Sequence, residues 1–184
     1  MKTVFSSNSE LSKTWAKQTQ QIGRASNMFF EGNVIYSYGH HYQIAQLIEA
    51  PCGQLVCFIN CNGFSNSTAK HTNHVWRSIP KEIPIFYVPF IISGGYWYKD
   101  QYISIHHLPE IINKMMAYIE SVLSKQLTAR TNSHYFTQAY NEYARALHIC
   151  ELFKLDKPTL PQNWFEAENK SNEISYKISQ KQVN

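Results

Sequence analysis

Between Phe64 and Pro80 the chain reads FSNSTAKHTNHVWRSIP, which sets Ser65, Ser67 and Thr68 ahead of Lys70, His71 and His74. Hydroxyls, an ammonium and imidazoles this close suit an anion site, a metal site or acid–base chemistry. A helix capped by Asn66 or Ser67 and stopped by Pro80 fits the pattern. Its free N–H groups and dipole would attract an anion, with Ser65, Ser67, Thr68 and Lys70 as the donors. The same hydroxyls can instead satisfy those N–H groups as helix caps, and capping is the expected role. His71 and His74 are three apart and so share a helix face. Further metal ligands would have to come from His40, His41, His106 or His107. There is no H-E-x-x-H and no carboxylate at a matching offset, so neither a metal nor another cofactor is expected.

A second polar cluster, SYGHHY, stands at Ser37–Tyr42. Gly39 permits a turn there, and His41 could act as a general base. With Lys70 and His71 it completes the candidate catalytic set of a phosphate-directed hydrolase or nuclease-like enzyme. No nucleophile motif supports that set. G-x-S-x-G is absent, SGGYWY lacks the Lys and Ser/Thr of a P-loop, and aspartate occurs only at Asp100 and Asp156. The aromatic cluster Tyr96, Trp97, Tyr98 and Tyr102 beside Lys99 offers a binding surface instead, for stacked bases or a protein partner.

Charged residues make up only 16% of the 184, against about 25% in an average domain. A lightly charged surface with 12 tyrosines suits protein–protein contact. The net charge is +4 without a dense basic run, which permits nucleic acid as a partner without arguing for it. A nucleic-acid-binding protein without catalysis would combine Arg24, Lys70, Arg77 and Lys81 on one positive face. The start, MKTVFSSNSELSK, has no apolar stretch of signal-peptide length, and the apolar runs are too short to span a membrane. The cysteines, Cys52, Cys57, Cys61 and Cys150, match no zinc spacing. Cys57 and Cys61 alternate with Leu55 and Ile59 and read as small buried strand residues, which points to free thiols in a bacterial cytoplasm.

These residues need a scaffold, and the hydrophobic pattern predicts an α+β fold. A first helix spans about Ser9 to Gln20, and QIGRAS breaks it. Strands flank Gly32-Asn33, and two more are joined through the turn at 50–53. Apolar residues on both faces of the strand holding Cys57 mark it as central. A short helix follows this meander of about four to six strands. In IPIFYVPF, Pro84 and Pro89 confine a further strand to an edge or a connection. From Leu108 the period becomes helical through Ile112, Met115, Met116, Ile119, Val122 and Leu123, with Pro109 in the first turn. A second helix from about His134 to Leu155 carries Phe136, Tyr140, Tyr143, Leu147 and Cys150 as its stripe. Together they predict an antiparallel helical hairpin. The organisation expected is one domain over 1–165, mainly sheet at 23–105 and a helical hairpin at 106–156. After Pro161, Trp164 and Phe165 are expected to dock back, and a polar segment follows at 166–184 as a mobile tail or a frayed helix.

The run FFEGNVIYSYGHHYQIA followed by STAKH is similar to a group of uncharacterised proteins of phages, plasmids and related bacterial mobile elements. Phe30, Gly32, Ile35, Tyr36, Ser37, Tyr38, Gly39, His41, Ile44 and Ala45 carry the first part, and Lys70 and His71 the second. The resemblance covers residues 23–80, about a third of the chain. It implies a setting and no mechanism: small proteins of such elements are often accessory factors that bind DNA or block a host defence complex. The expectation is therefore a non-enzymatic accessory protein acting on a host protein or nucleoprotein complex in the bacterial cytoplasm. The alternatives are the phosphate-directed enzyme and the nucleic-acid binder.

Overall fold

A computed structural model describes residues 3–63, 65–93 and 100–183, without the side chains of 181–183. The fold is α+β. In order along the chain come α1 (Asn8–Ala16), β1 (Ile22–Ala25), β2 (Met28–Glu31), β3 (Val34–Ser37), β4 (Gln43–Glu49) and β5 (Leu55–Asn60). Next are α2 (Asn66–Trp76), β6 (Ile85–Val88), β7 (Ile91–Ser93) and β8 (Asp100–Tyr102). A 3-10 turn at Ile105–His107 leads into α3 (Leu108–Thr128), α4 (His134–Phe153) and α5 (Trp164–Val183). The chain divides into two compact units, 1–111 and 112–184, with the division inside α3. The domain expected over 1–165 covers the first unit and most of the second.

In the first unit the six-stranded sheet runs β1-β2-β3-β4-β5-β6. The first five strands are an antiparallel meander, and β6 joins parallel to β5 through the α2 crossover. Pro84 and Pro89 flank β6, which takes the sheet edge, where a missing ladder donor is tolerated. Strand β1 lies in the segment read as a break. Gly23 is required there, because a Cβ would stand 2.6 Å from the Phe30 ring and 2.7 Å from that of Phe5.

Alternation assigns the two sheet faces. Ala25, Met28, Phe30, Ile35, Ala45, Leu47, Cys57 and Ile59 form a core with Leu11 and Trp15 of α1 and Val75 of α2. The other face carries the cross-strand row Ile22, Glu31, Val34, Gln46, Phe58 and Phe86. Ile22 and Glu31 are exposed, Gln46 is half-buried, and Phe58 and Phe86 are buried. This face is therefore closed at β5 and β6 and open at β1 and β2.

In the second unit α3 and α4 form the expected helical pair. Gln126, fully buried near the end of α3, holds their connection: its carbonyl accepts from Phe136 N and its amide donates to Asn132 O, both at 3.1 Å. Of the α3 stripe, Ile112, Met115, Ile119, Val122 and Leu123 are buried and Met116 is half-buried. The α4 stripe is displaced. Ala139, Ala146, Ile149, Cys150 and Phe153 are the buried positions, while Leu147 is half-buried and Tyr140 exposed. Phe136 and Tyr143 are half-buried and sit against Trp164, with centroids 5.2 and 5.3 Å away. The segment expected as a mobile tail or a frayed helix is α5. It buries Trp164, Ala167, Ser171 and Ile174, and Ser171 Oγ donates to Ser133 O at 3.0 Å.

Candidate functional site

The cap of α2 is Ser65, one residue before the expected Asn66 and two before Ser67. Its Oγ accepts from Thr68 N at 3.2 Å and pairs with Thr68 Oγ1 at 2.9 Å. Thr68 is buried, while Ser65, Ser67 and Lys70 are exposed. Two of the hydroxyls proposed as anion donors thus close the first turn of the helix. The cap is worth about 1 kcal/mol.

The start of α2 borders a cleft of about 600 Å³. Its walls come from the end of β5 and the chain beyond it (Asn60, Cys61, Asn62), from α2 (Thr68, Thr72) and from Tyr42 and Tyr87. The walls are braced by their own hydrogen bonds. The Asn60 amide donates to Gln43 O and Gln101 Oε1, Asn60 Oδ1 accepts from Asn62 N, and Tyr42 OH donates to Asn62 O at 3.0 Å. Burial, with the Cys61 thiol second, pushes Tyr42 up to about 12, so its hydroxyl stays protonated. Cys61, expected as a buried strand residue, lies just past β5 and is exposed.

His71 faces away from this cleft, toward the sheet. It is buried, and its Nδ1 lies 2.7 Å from Ser37 Oγ, a buried hydroxyl on the core face of β3. Burial first, and then His74, hold its imidazolium below the ordinary histidine range. The Tyr38 ring covers it at 5.4 Å. Tyr38 takes a left-handed φ of 63°, a conformation that costs a non-glycine residue about 1–2 kcal/mol. The tight turn fixes it there: Tyr38 N donates to Asn27 O at 2.7 Å and Gly39 N to Ser37 O at 2.8 Å.

His41 is half-buried, and its carbonyl accepts from Gln101 N at 2.8 Å. Its ring folds back over the turn, so a Cβ on residue 39 would meet His41 Nδ1 at 2.8 Å, which explains Gly39. The structure thus gives the three catalytic candidates different settings: His71 in the core, His41 on the turn and Lys70 on the exposed side of α2. Of the aromatic surface, Tyr96, Trp97, Tyr98 and Lys99 lie outside the described residues. Tyr102 is half-buried and stands edge-on to His107 at 5.1 Å. Arg24 alternates with the core residues Gly23 and Ala25, so it is on the sheet face opposite α2, which carries Lys70. Arg24 and Lys70, two of the four residues expected on one basic face, are therefore on opposite sides of the sheet. Among the described residues no group of three or more His, Cys, Asp or Glu is placed to hold a metal ion, and no helix is long and apolar enough to cross a membrane.

Two features escaped the sequence reading. One is a ring cluster on the open sheet face: Phe29 stacks on Tyr36 with centroids 4.8 Å apart at 13°, and His40 stands edge-on to both. The signal was an aromatic at the same face position of two paired strands. The other is the exposed aromatic side chains of the helical unit, Tyr140, Phe165 and Tyr176, at 56, 65 and 66%. No protein-family model, curated protein or solved structure matches the chain.

Proposed function

We propose that this protein is a non-catalytic accessory factor of a phage or other mobile element, which binds a host protein or nucleoprotein complex in the bacterial cytoplasm and blocks it, as a defence system would be blocked. The observation that carries the reading is the exposure of Tyr140, Phe165 and Tyr176, more than half open to solvent on α4 and α5. Large aromatic side chains supply most of the energy at protein interfaces, because they bury much area with few rotatable bonds. The commitment of His71 to Ser37, and of the Ser65 hydroxyl to the α2 cap, agrees with this reading. The test is affinity purification from the bacterial host, with and without nuclease, using the wild type and a Phe165→Ala/Tyr176→Ala variant. A protein partner that survives nuclease and is lost with the variant is expected. Recovery of no protein partner, or of one that the variant leaves unchanged, would overturn the reading.

The cleft favours a second reading, a phosphate-directed enzyme. Helix α2 opens on it through Ser65 and Thr68, and the helix dipole there favours an anion, with Ser67 and Lys70 exposed on the first turns of the same helix. Inorganic phosphate would then raise the melting temperature of the wild type more than that of Lys70→Ala. Equal shifts would count against it.

A further inference from the structure

We propose that the open half of the sheet face binds single-stranded nucleic acid, its bases stacking on the Phe29–Tyr36–His40 ring cluster and its phosphates meeting Arg24. The inference goes beyond the protein-binding role and does not depend on the surface of α4 and α5. Strand register sets Arg24, Phe29, Tyr36 and Gln43 in one line across β1 to β4. This is the face turned away from α1 and α2, whose residues pack on Ala25, Met28, Phe30 and Ile35. An antiparallel sheet with its helices on one side and aromatic rings on the other is a platform on which unstacked bases can lie. Arg24 and His40 are exposed and Phe29 is half-exposed, with Tyr36 packed beneath as their support.

A surface depression of about 380 Å³ adjoins the rings, bounded by Val4, Ile22, Arg24, Phe29 and Glu31, with room for a flat ring system. A single cation in the line of rings suits the phosphate of a strand whose bases stack beside it. Arg24 stands in the line of rings, the whole chain carries +4, and the Glu31 carboxylate beside them is engaged by His40 Nε2 at 3.1 Å. Stacking is tolerant of base identity, so weak sequence preference goes with this mode of binding.

Fluorescence anisotropy with a fluorescein-labelled oligo-dT of about 15 nucleotides, titrated with the full-length protein over a range of salt, tests the proposal. Saturable binding that weakens with salt is expected. Loss of one stacking ring in Phe29→Ala should weaken it about tenfold. Loss of one phosphate contact in Arg24→Gln should flatten the log–log salt slope by about 0.7. The Phe165→Ala/Tyr176→Ala variant, changed only in the other unit, should bind as the wild type does, so this result and that of the protein-partner experiment are read independently. Circular dichroism checks folding, and the exposed Arg24→Gln substitution keeps the test decisive should Phe29→Ala unfold. Absence of saturable binding by the folded wild type at low salt overturns the proposal, as does binding that Arg24→Gln leaves unchanged.

Discussion

His71 is where a residue that looked reactive turns out to be held by its surroundings. A histidine whose charged form is disfavoured by burial has a folded pKa below its unfolded value of about 6.5. Between those two values the unfolded chain takes up a proton that the folded chain refuses. Its contribution is therefore fully present above about pH 6.5 and is lost as pH falls through that value toward the folded pKa. The melting temperature of the wild type should drop between pH 7.5 and 5.5. In His71→Gln, which can still reach Ser37 but cannot charge, the drop should be smaller; equal slopes would show that His71 is not the source. A helix cap in this stretch was legible in the sequence, although it falls on Ser65 and not on the expected Asn66 or Ser67. The Ser37 partner was not legible, because it lies 34 residues away and only the sheet register brings it under α2.

Among the elements, those with strong periodicity were read closely. The α3 stripe from Ile112 to Leu123 lies in the core as its spacing implied. Strand β6 stands at the edge that its flanking prolines required. Elements whose signal lay in small or polar residues were less legible. Strand β1 is only Ile22–Ala25, and its Gly23 and Ala25 carry little hydrophobic pattern. Helix α5 buries Ala167 and Ser171, small residues that let it approach its neighbours but weigh little on a hydrophobicity scale. A purely polar tail could be deleted at no cost. Instead, removal of 169–184 takes away the buried Ile174 and the Ser171 bond to Ser133. Losing a buried aliphatic side chain costs about 2–5 kcal/mol. The truncated protein should melt at a clearly lower temperature, and an unchanged melt would mean that α5 contributes nothing to the fold.

At the scale of the whole molecule, the four cysteines report on burial in both units. Cys52 and Cys61 are exposed, whereas Cys57 and Cys150 are buried, and burial pushes Cys57 up to about 12. Thiolate is the reactive form, so native protein should titrate two thiols quickly with a coloured disulfide reagent and the other two only in denaturant. Four fast thiols would place Cys57 or Cys150 outside the core. The parallel pairing of β6 with β5 has a further consequence, in the order of folding events. Strands β1 to β5 join through short turns, so each pair can close on its own. Strand β6 can dock only after residues 61–84 have closed a loop and α2 has crossed over. Until then β5 is an unpaired edge, and Phe58 lacks the Phe86 ring that meets it at 5.8 Å in the native protein. A nascent chain halted before Ile85 would present this edge to other chains, so the stretch of synthesis between β5 and β6 is the interval in which this protein is most in need of a chaperone.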